Sequence, residues 1–232
     1  MNFPTECQFL NSQTCFFEFS KEVSEEVSEY IALVVAALEQ DRGILDLIAS
    51  YTTLMVVFDR QQYDRHSIRK RFKSIFSQLA NEPTLQAKGK SIEIPVFYDP
   101  EVAPDLLDVA ERCQITPEEV IALHSERVYR AYAIGFMPGY AYLGTLDSRI
   151  QLPRRDTPRL KVAKGTVAFA EKQTAVYPSI SPGGWHLVGR TPIELVDWSS
   201  ESLSLMKVGD RIQFKAISRD DYVALGGTFH GV

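Results

Sequence analysis

Cysteine, long apolar runs and positive charge are all in short supply in this chain of 232 residues. The cysteines number three, Cys7, Cys15 and Cys113, and none belongs to a CxxC pair, which argues against a disulfide framework and a cysteine-rich zinc site. The apolar stretch at residues 31–38 is far too short to span a bilayer. The net charge of -5 argues against a general nucleic-acid binder, because phosphate backbones select a basic surplus.

The usual signatures of self-sufficient enzymes are also missing. The sequence has no GxSxG nucleophile turn, no HExxH zinc motif and no GxGxxG dinucleotide loop. Of the scattered histidines, His124 closes a predicted helix, where a cation is favourable, and His186 is the better candidate to face a site. We therefore predict no metal and assign no catalytic residue. The opening residues lack the basic and apolar regions of a signal peptide, which predicts a cytoplasmic protein with reduced thiols.

Residues 1–90 predict a small α/β domain. Ser20 is the expected cap of its first helix and Gly43 the expected stop. The order β-α-β-β-α-β is that of the ferredoxin-like fold, although the sequence leaves open which domain holds the last strand. The predicted strands cover residues 14–19, 44–49, 52–58 and 92–98, and the predicted helices cover 23–38 and 67–79.

Residues 91–232 change character and predict a β-barrel or sandwich. Two short helices come first, and Thr116 with Glu119 forms a capping box at the start of the second. Short β-prone runs broken by glycine and proline follow, a pattern typical of all-β folds. The predicted strands cover residues 128–134, 165–170, 175–177, 185–188, 193–196 and 211–216.

The most unusual charge pattern lies at residues 149–164. Six basic residues face one acidic residue, Asp156, so this stretch carries +5 in a protein of net -5. Arginine forks bind carboxylate and phosphate, which favours a site for a small anion or a phosphorylated intermediate, with backbone donors from residues 181–184. Surface salt bridging is the alternative for at least half of the arginines in this stretch. The basic residues are Arg149, Arg154, Arg155, Arg159, Lys161 and Lys164.

Aromatic residues surround the same region. Phe136, Tyr140, Tyr142, Tyr177 and Trp185 all stand beside glycine- or proline-rich turns. Two interpretations remain open from the residues alone, namely the walls of a pocket and ordinary packing of a barrel core.

The segment GFMPGYAYLGTLDSRIQLPRRDTPRLKVAKGTVAFAEKQTAVYPSISPGGWHLVGRTP resembles the signature of the KipI and allophanate-hydrolase-subunit-1 family. The resemblance extends through ILDLIASYTTLMVVFD in the first half and VGDRIQF near the end, so it covers most of the chain. It implies an α+β protein, in which an N-terminal α/β domain, predicted above as ferredoxin-like, precedes a cyclophilin-like β-barrel.

The resemblance also implies a function. Members of this family include the B-type component of the bacterial 5-oxoprolinase, which converts 5-oxoproline to L-glutamate with ATP hydrolysis. The implied partners are a homologous cyclophilin-like component of KipA type, called C-type below, and a LamB/YcsF-type component, called A-type below. The implied cofactor at the level of the complex is ATP, with Mg. The chain is then a non-autonomous subunit of an amidohydrolase. Inhibition of a sensor histidine kinase is the second hypothesis, and allophanate or urea hydrolysis is the third.

Carried over by position, the family resemblance assigns twelve residues to a ligand pocket. This sequence departs from the family pattern at Ala168, Glu171 and Ala175, where glycine is usual, and at Ala163, where proline is common. The lost glycines restrict the backbone, and Glu171 adds a negative charge near the proposed site. The twelve residues are Phe136, Pro138, Gly139, Tyr140, Arg154, Arg159, Gln173, Thr174, Tyr177, Gly183, Gly184 and Trp185.

Overall fold

A computed structural model describes residues 7–81, 89–200 and 202–229. The chain divides into two compact units, Met1–Lys88 and Gly89–Val232. Within the described ranges, no helix combines the length and the apolar character needed to cross a bilayer.

The first unit is an antiparallel sheet of four strands covered by two helices. Both helices contribute one apolar stripe to the core, with Ile31 and Val34 on the first and Phe72 and Phe76 on the second. The sheet contributes alternating side chains to the same core, in the order β1-β2-β4-β3. The elements are β1 (Gln8–Phe9), β2 (Thr14–Glu18), α1 (Glu25–Glu39), β3 (Ile44–Ala49), β4 (Thr53–Phe58) and α2 (Arg65–Asn81).

The complete ferredoxin-like arrangement is not confirmed. The strand that would end that pattern, β5 (Ser91–Val96), lies in the sheet of the second unit. The edge beside β2 is occupied instead by the short strand β1, which the sequence analysis did not predict.

The predicted ends of the first helix are wrong. Its N-cap is Ser24, whose hydroxyl accepts a hydrogen bond from the Val27 amide at 3.2 Å, whereas Ser20 accepts one from the Glu22 amide ahead of the helix. The helix ends at Glu39 and its C-cap is Gln40, three residues before Gly43. The buried face starts at Val27, so packing selects the later of two serines that are both good caps.

The second unit is built on a seven-stranded sheet in the order β12-β9-β10-β7-β6-β13-β5. The remaining two strands, β8 and β11, form a separate antiparallel ribbon. After β5, the elements are α3 (Leu106–Cys113), α4 (Pro117–Ser125), β6 (Val128–Ile134), β7 (Ala141–Gly144), a 3-10 turn (Ser148–Ile150), β8 (Arg159–Val162), β9 (Thr166–Ala170), β10 (Gln173–Val176), β11 (Ser181–Gly183), β12 (His186–Arg190), β13 (Arg211–Ala216) and α5 (Arg219–Ala224).

This sheet closes into a barrel. Phe97 directly follows β5, and Arg190 ends β12, which is the strand at the opposite edge. The two residues exchange backbone hydrogen bonds of 2.9 Å in both directions and so join the two edges. Closure removes the unpaired edges of an open sheet and encloses an apolar core that includes Phe169 and Phe214. A barrel, rather than a sandwich, is therefore observed.

Local signals in the second unit are confirmed in most places. Thr116 and Glu119 make both bonds of the capping box, the Glu119 amide to the threonine hydroxyl at 3.2 Å and the Thr116 amide to the glutamate carboxylate at 2.8 Å. The strands at 128–134 and 211–216 have the predicted bounds. The strand predicted at 193–196 is wrong, because only Val196 forms an isolated bridge there.

Candidate functional site

A cavity of about 210 Å³ opens on the outer face of the barrel sheet. Side chains alternate along each strand, so Val167 and Phe169 of β9 enter the barrel core while Ala168 and Ala170 belong to a second cluster on the other face. We call the cavity the pocket. It is lined by Phe136, Tyr140, Tyr142, Arg154, Arg155, Pro158, Tyr177, Pro182, Gly183, Gly184 and Trp185.

Tyr140 is the centre of the aromatic wall of the pocket. Its ring makes edge-to-face contacts with Tyr142 at 5.0 Å, with Phe136 at 5.2 Å, with Tyr177 at 5.4 Å and with Trp185 at 6.1 Å between centroids. Such geometries stabilise aromatic clusters beyond their burial. Of the two sequence interpretations, the pocket wall agrees with the structure and packing of the barrel core does not, because these rings pack a cluster on the outer face of the sheet.

Small residues make room for these rings. Ala168 and Ala175 pair directly across β9 and β10, and both are fully buried in the outer cluster. The alanines that stand in place of the usual family glycines therefore lie under the aromatic wall, with one methyl group each to pack against it.

The loop before Tyr140 has a demanding backbone. Gly139 has φ +78°, and a Cβ atom there would collide with the side chain of Val196. The Gly135 amide donates to the Tyr140 carbonyl at 3.1 Å and closes the loop. Gly139 thus gives this loop its tight path, and neither Gly139 nor Pro138 lines the pocket.

On the opposite wall, Gly183 lies directly against Tyr177. A Cβ atom on Gly183 would collide with the Tyr177 hydroxyl, so only glycine fits. Burial raises the pKa of Tyr177, with partly opposing contributions from its hydrogen bond with Tyr140 and from Arg154. The phenol therefore stays protonated and presents a neutral hydroxyl.

A buried carboxylate organises the arginines. Asp105 is 4% exposed and accepts hydrogen bonds from Nη1 of Arg155 at 2.8 Å and from both Nη atoms of Arg159 at 2.9 and 2.7 Å. It also accepts from the Leu187 amide at 2.8 Å. The Gly184 carbonyl accepts from the Arg155 amide at 2.8 Å, which fixes the chain beside the pocket. Asp105 was not predicted, since nothing in the sequence around it marks a site.

Salt bridging accounts for most of the basic stretch at residues 149–164. Besides the two arginines on Asp105, Arg149 pairs with Asp147, and Lys164 pairs with Glu194 at 2.6 Å. Arg154 lies with Nε 3.7 Å from a carboxylate oxygen of Glu171. The +5 count of the sequence window therefore overstates the charge available to a ligand, and the two arginines that line the pocket are Arg154 and Arg155.

The structure brings seven of the twelve predicted residues together around the pocket. The seven are Phe136, Tyr140, Arg154, Tyr177, Gly183, Gly184 and Trp185. The other five lie elsewhere. Pro138 and Gly139 belong to the loop that precedes Tyr140, Arg159 is bound to Asp105, and Gln173 begins β10 opposite Gly144. Thr174 is fully buried on the barrel side of β10.

Thr174 belongs to a hydrogen-bond chain through His124. The threonine hydroxyl donates to the Ala168 carbonyl at 3.1 Å, so it accepts from Nε2–H of His124 at 2.8 Å, and Nδ1 accepts from the Tyr98 hydroxyl at 2.7 Å. The imidazole is wholly buried, and burial lowers its pKa to about 3. The prediction of a cationic His124 at a helix end is therefore wrong.

His186 is buried on the barrel side of β12, where its ring lies 6.3 Å from that of Phe169, and does not line the pocket. Its Nε2 donates to the Pro153 carbonyl at 2.8 Å. The histidine thereby anchors the chain just before Arg154.

The barrel and its companion α/β unit define an α+β protein of the carboxyltransferase-like class. A Kluyveromyces lactis urea carboxylase shares this fold, with TM-score 0.64 and 18% identity over 91% of this chain and 22% of that one. Residues 5–206 match the family described as carboxyltransferase domain, subdomain C and D.

Two relatives are more similar in sequence. A Bacillus subtilis protein whose name identifies it as the B component of 5-oxoprolinase is 33% identical in an alignment of 227 positions that covers 93% of this chain and 94% of that protein. The solved structure of TTHA0988 has TM-score 0.79 and 32% identity over 90% of this chain, which spans only 40% of its length. The chain belongs to the family described as carboxyltransferase domain, subdomain C and D, together with the Bacillus protein. The family resemblance that the sequence predicted is confirmed.

Proposed function

We propose that the chain is the B-type component of a 5-oxoprolinase that converts 5-oxoproline to L-glutamate with ATP hydrolysis. The observation that carries the proposal is 33% identity, almost end to end, with a protein named for that role. ATP, with Mg²⁺, supplies the driving force for opening a lactam, which is a stable amide.

The composition of the pocket supports a binding role for this chain. Its lining consists of arginine, aromatic, proline and glycine residues, none of which is an activated nucleophile or a general base. Arg154 and Arg155 offer donors to a carboxylate, and Tyr177 offers a neutral hydroxyl to a lactam oxygen. Five aromatic side chains offer apolar surface to a compact five-membered lactam ring. The chain holds and orients 5-oxoproline, and a partner completes the reaction.

The proposed partners are the homologous cyclophilin-like C-type component and the LamB/YcsF-type A-type component. The name of the Bacillus protein supports an assembly, because it describes that protein as one subunit of an enzyme. TTHA0988 supports it as well, because this chain matches only 40% of a longer protein. The barrel of this chain is then of the cyclophilin-like kind, and an ATP-coupled reaction suits a cytoplasmic location.

Reconstitution tests the proposal. The chain is mixed with the C-type and A-type components, and glutamate formation from 5-oxoproline is followed with and without ATP. We expect activity only with all three proteins and ATP, and a loss of at least tenfold on Arg155→Gln, since one charged hydrogen bond contributes about 1.5–3 kcal/mol. Arg149→Gln is the matched control, because Arg149 is exposed and pairs only with Asp147 among the described residues.

Inactivity of a well-assembled complex would overturn this function. Binding of a sensor-kinase dimerisation domain would then support the kinase-inhibitor hypothesis. The likeness to urea carboxylase concerns the fold alone at 18% identity, so it favours no urea or allophanate activity.

A further inference from the structure

The charges of the side chains that form ion pairs beside the pocket nearly cancel. Arg154, Arg155 and Arg159 supply three guanidinium groups, and Asp105 and Glu171 supply two carboxylates. One net positive charge remains. Asp156 is exposed and forms no ion pair within the described part of the chain, so it is not bound into this group.

The surplus positive charge lies beside Asp105. Asp105 takes hydrogen bonds from two guanidinium groups, and one carboxylate neutralises only one of them. Arg155 lines the pocket, and its Nη2 makes no hydrogen bond within the described ranges and, unlike the buried Nε, is not enclosed by the protein. A planar guanidinium with unused donors is suited to the two oxygens of a carboxylate.

The other arginine is screened by Glu171. Nε of Arg154 lies 3.7 Å from Oε1 of Glu171, and both side chains are 60% exposed. Glu171 forms the turn between β9 and β10 with φ +55°, and its amide donates to the Leu152 carbonyl at 2.6 Å. This bond fixes the turn beside the segment that carries Arg154. A second negative charge on a ligand near Arg154 would meet the Glu171 carboxylate.

The size of the pocket also favours a small ligand with one negative charge. Its volume of about 210 Å³ lies below the range of about 300–1,000 Å³ of ordinary ligand and cofactor sites. Its walls are flat aromatic rings, and the sequence has no phosphate-binding loop. The pocket fits a small planar ring with one charge and does not fit ATP.

We propose that the pocket selects a small, flat monocarboxylate over phosphate-bearing ligands, and that Glu171 sets this preference through Arg154. Glu171 is a positioning and screening residue that does not line the pocket itself. Identifying the natural ligand as 5-oxoproline rests on the proposed function, whereas the preference for one carboxylate does not. ATP then binds elsewhere in the assembly.

Calorimetric titration of the full chain tests this inference. Benzoate and phenyl phosphate carry the same ring and differ in charge, and 5-oxoproline and ATP are titrated alongside. We expect benzoate and 5-oxoproline to bind at least tenfold more tightly than phenyl phosphate, and ATP not to bind. In Glu171→Gln, we expect phenyl phosphate affinity to rise by up to about fivefold, because an exposed charge pair contributes about 0–1 kcal/mol. Benzoate affinity should rise less, because benzoate carries less charge than phenyl phosphate.

Glu194→Gln is the matched control, because Glu194 also pairs with a surface cation, Lys164, but lies outside the pocket lining. This variant leaves both affinities unchanged. Tighter binding of phenyl phosphate or ATP, an unchanged affinity ratio in Glu171→Gln, or a folded chain that binds no monocarboxylate would each overturn the inference. Binding of benzoate without 5-oxoproline supports the inference and counts against the proposed function.

Discussion

Arg159 holds the carboxylate of Asp105 with two parallel hydrogen bonds, Nη1 to Oδ2 at 2.9 Å and Nη2 to Oδ1 at 2.7 Å. Because the carboxylate is 4% exposed and also bonds Arg155, its removal leaves two half-buried cations without a counter-charge. We expect Asp105→Asn to lower the free energy of unfolding by about 3 kcal/mol, measured by urea denaturation.

The control for this variant is Glu101→Gln, which removes an exposed ion pair with Arg219. An exposed pair contributes about 0–1 kcal/mol, so the loss should be several-fold smaller. Equal losses in the two variants would contradict a structural role for the buried carboxylate.

Adjacent glycines in the pocket wall should respond differently to a methyl group. In Gly183→Ala the new Cβ collides with the Tyr177 hydroxyl, whereas in Gly184→Ala the nearest atom is 3.7 Å away on Pro158. We expect Gly183→Ala to weaken monocarboxylate binding about tenfold or more, which is about 1.4 kcal/mol, with a normal far-ultraviolet circular dichroism spectrum. Gly184→Ala should bind within about twofold of the parent. A larger loss of binding in Gly184→Ala than in Gly183→Ala would contradict the contact between Gly183 and Tyr177.

His124 makes stability depend on pH. Burial lowers its pKa from about 6.5 to about 3 in the folded chain, so the neutral form is favoured by folding. Its contribution is complete above about pH 6.5 and is lost as the pH falls towards the folded-state pKa. Between about pH 5.5 and 4.5, we expect the free energy of unfolding to fall by about 1.4 kcal/mol from this group.

Urea denaturation at these two pH values measures the change. The nitrogen chemical shifts of His124 check its cause, since they should report the neutral Nε2–H tautomer throughout this range. Protonation of the ring with a pKa near about 6 in the folded chain, the ordinary range for histidine, would refute the assignment.

The backbone of Glu171 adopts an unfavourable conformation in its turn. At φ +55°, a side chain costs roughly 1–2 kcal/mol that glycine avoids. Glycine loses about 0.5–1 kcal/mol through the entropy of the unfolded chain. We expect Glu171→Gly to be about 1 kcal/mol more stable than Glu171→Gln, by thermal denaturation. Because both variants lack the ion pair with Arg154, their difference isolates the backbone.

Local features of this chain were predictable and non-local ones were not. The capping box at Thr116 and the strands at 128–134 and 211–216 depend on neighbouring residues, and the structure reproduces them. The burial of His124 depends on Phe214, which stacks on it at 4.6 Å from 90 positions away in the sequence. A last-turn histidine looks the same in sequence whether it is exposed or enclosed.

The candidate site shows the same division. Clustered glycine, proline and aromatic residues marked the region, and seven residues assigned by family position do line one pocket. The partners of the arginines were hidden, because Asp105 is 50 positions from Arg155. The charge count over residues 149–164 took no account of ion pairs with residues outside that stretch. In the fold, most of its basic side chains pair with carboxylates that lie elsewhere in the sequence.

The closed barrel also imposes an order on biosynthesis. β5 leaves the ribosome some 120 residues before β13, its parallel neighbour. The backbone pairing of Phe97, which follows β5, cannot form until Arg190 has been synthesised. A nascent chain therefore carries an open sheet with two unsatisfied edges until β13 has emerged, and it is most exposed to premature association during that interval.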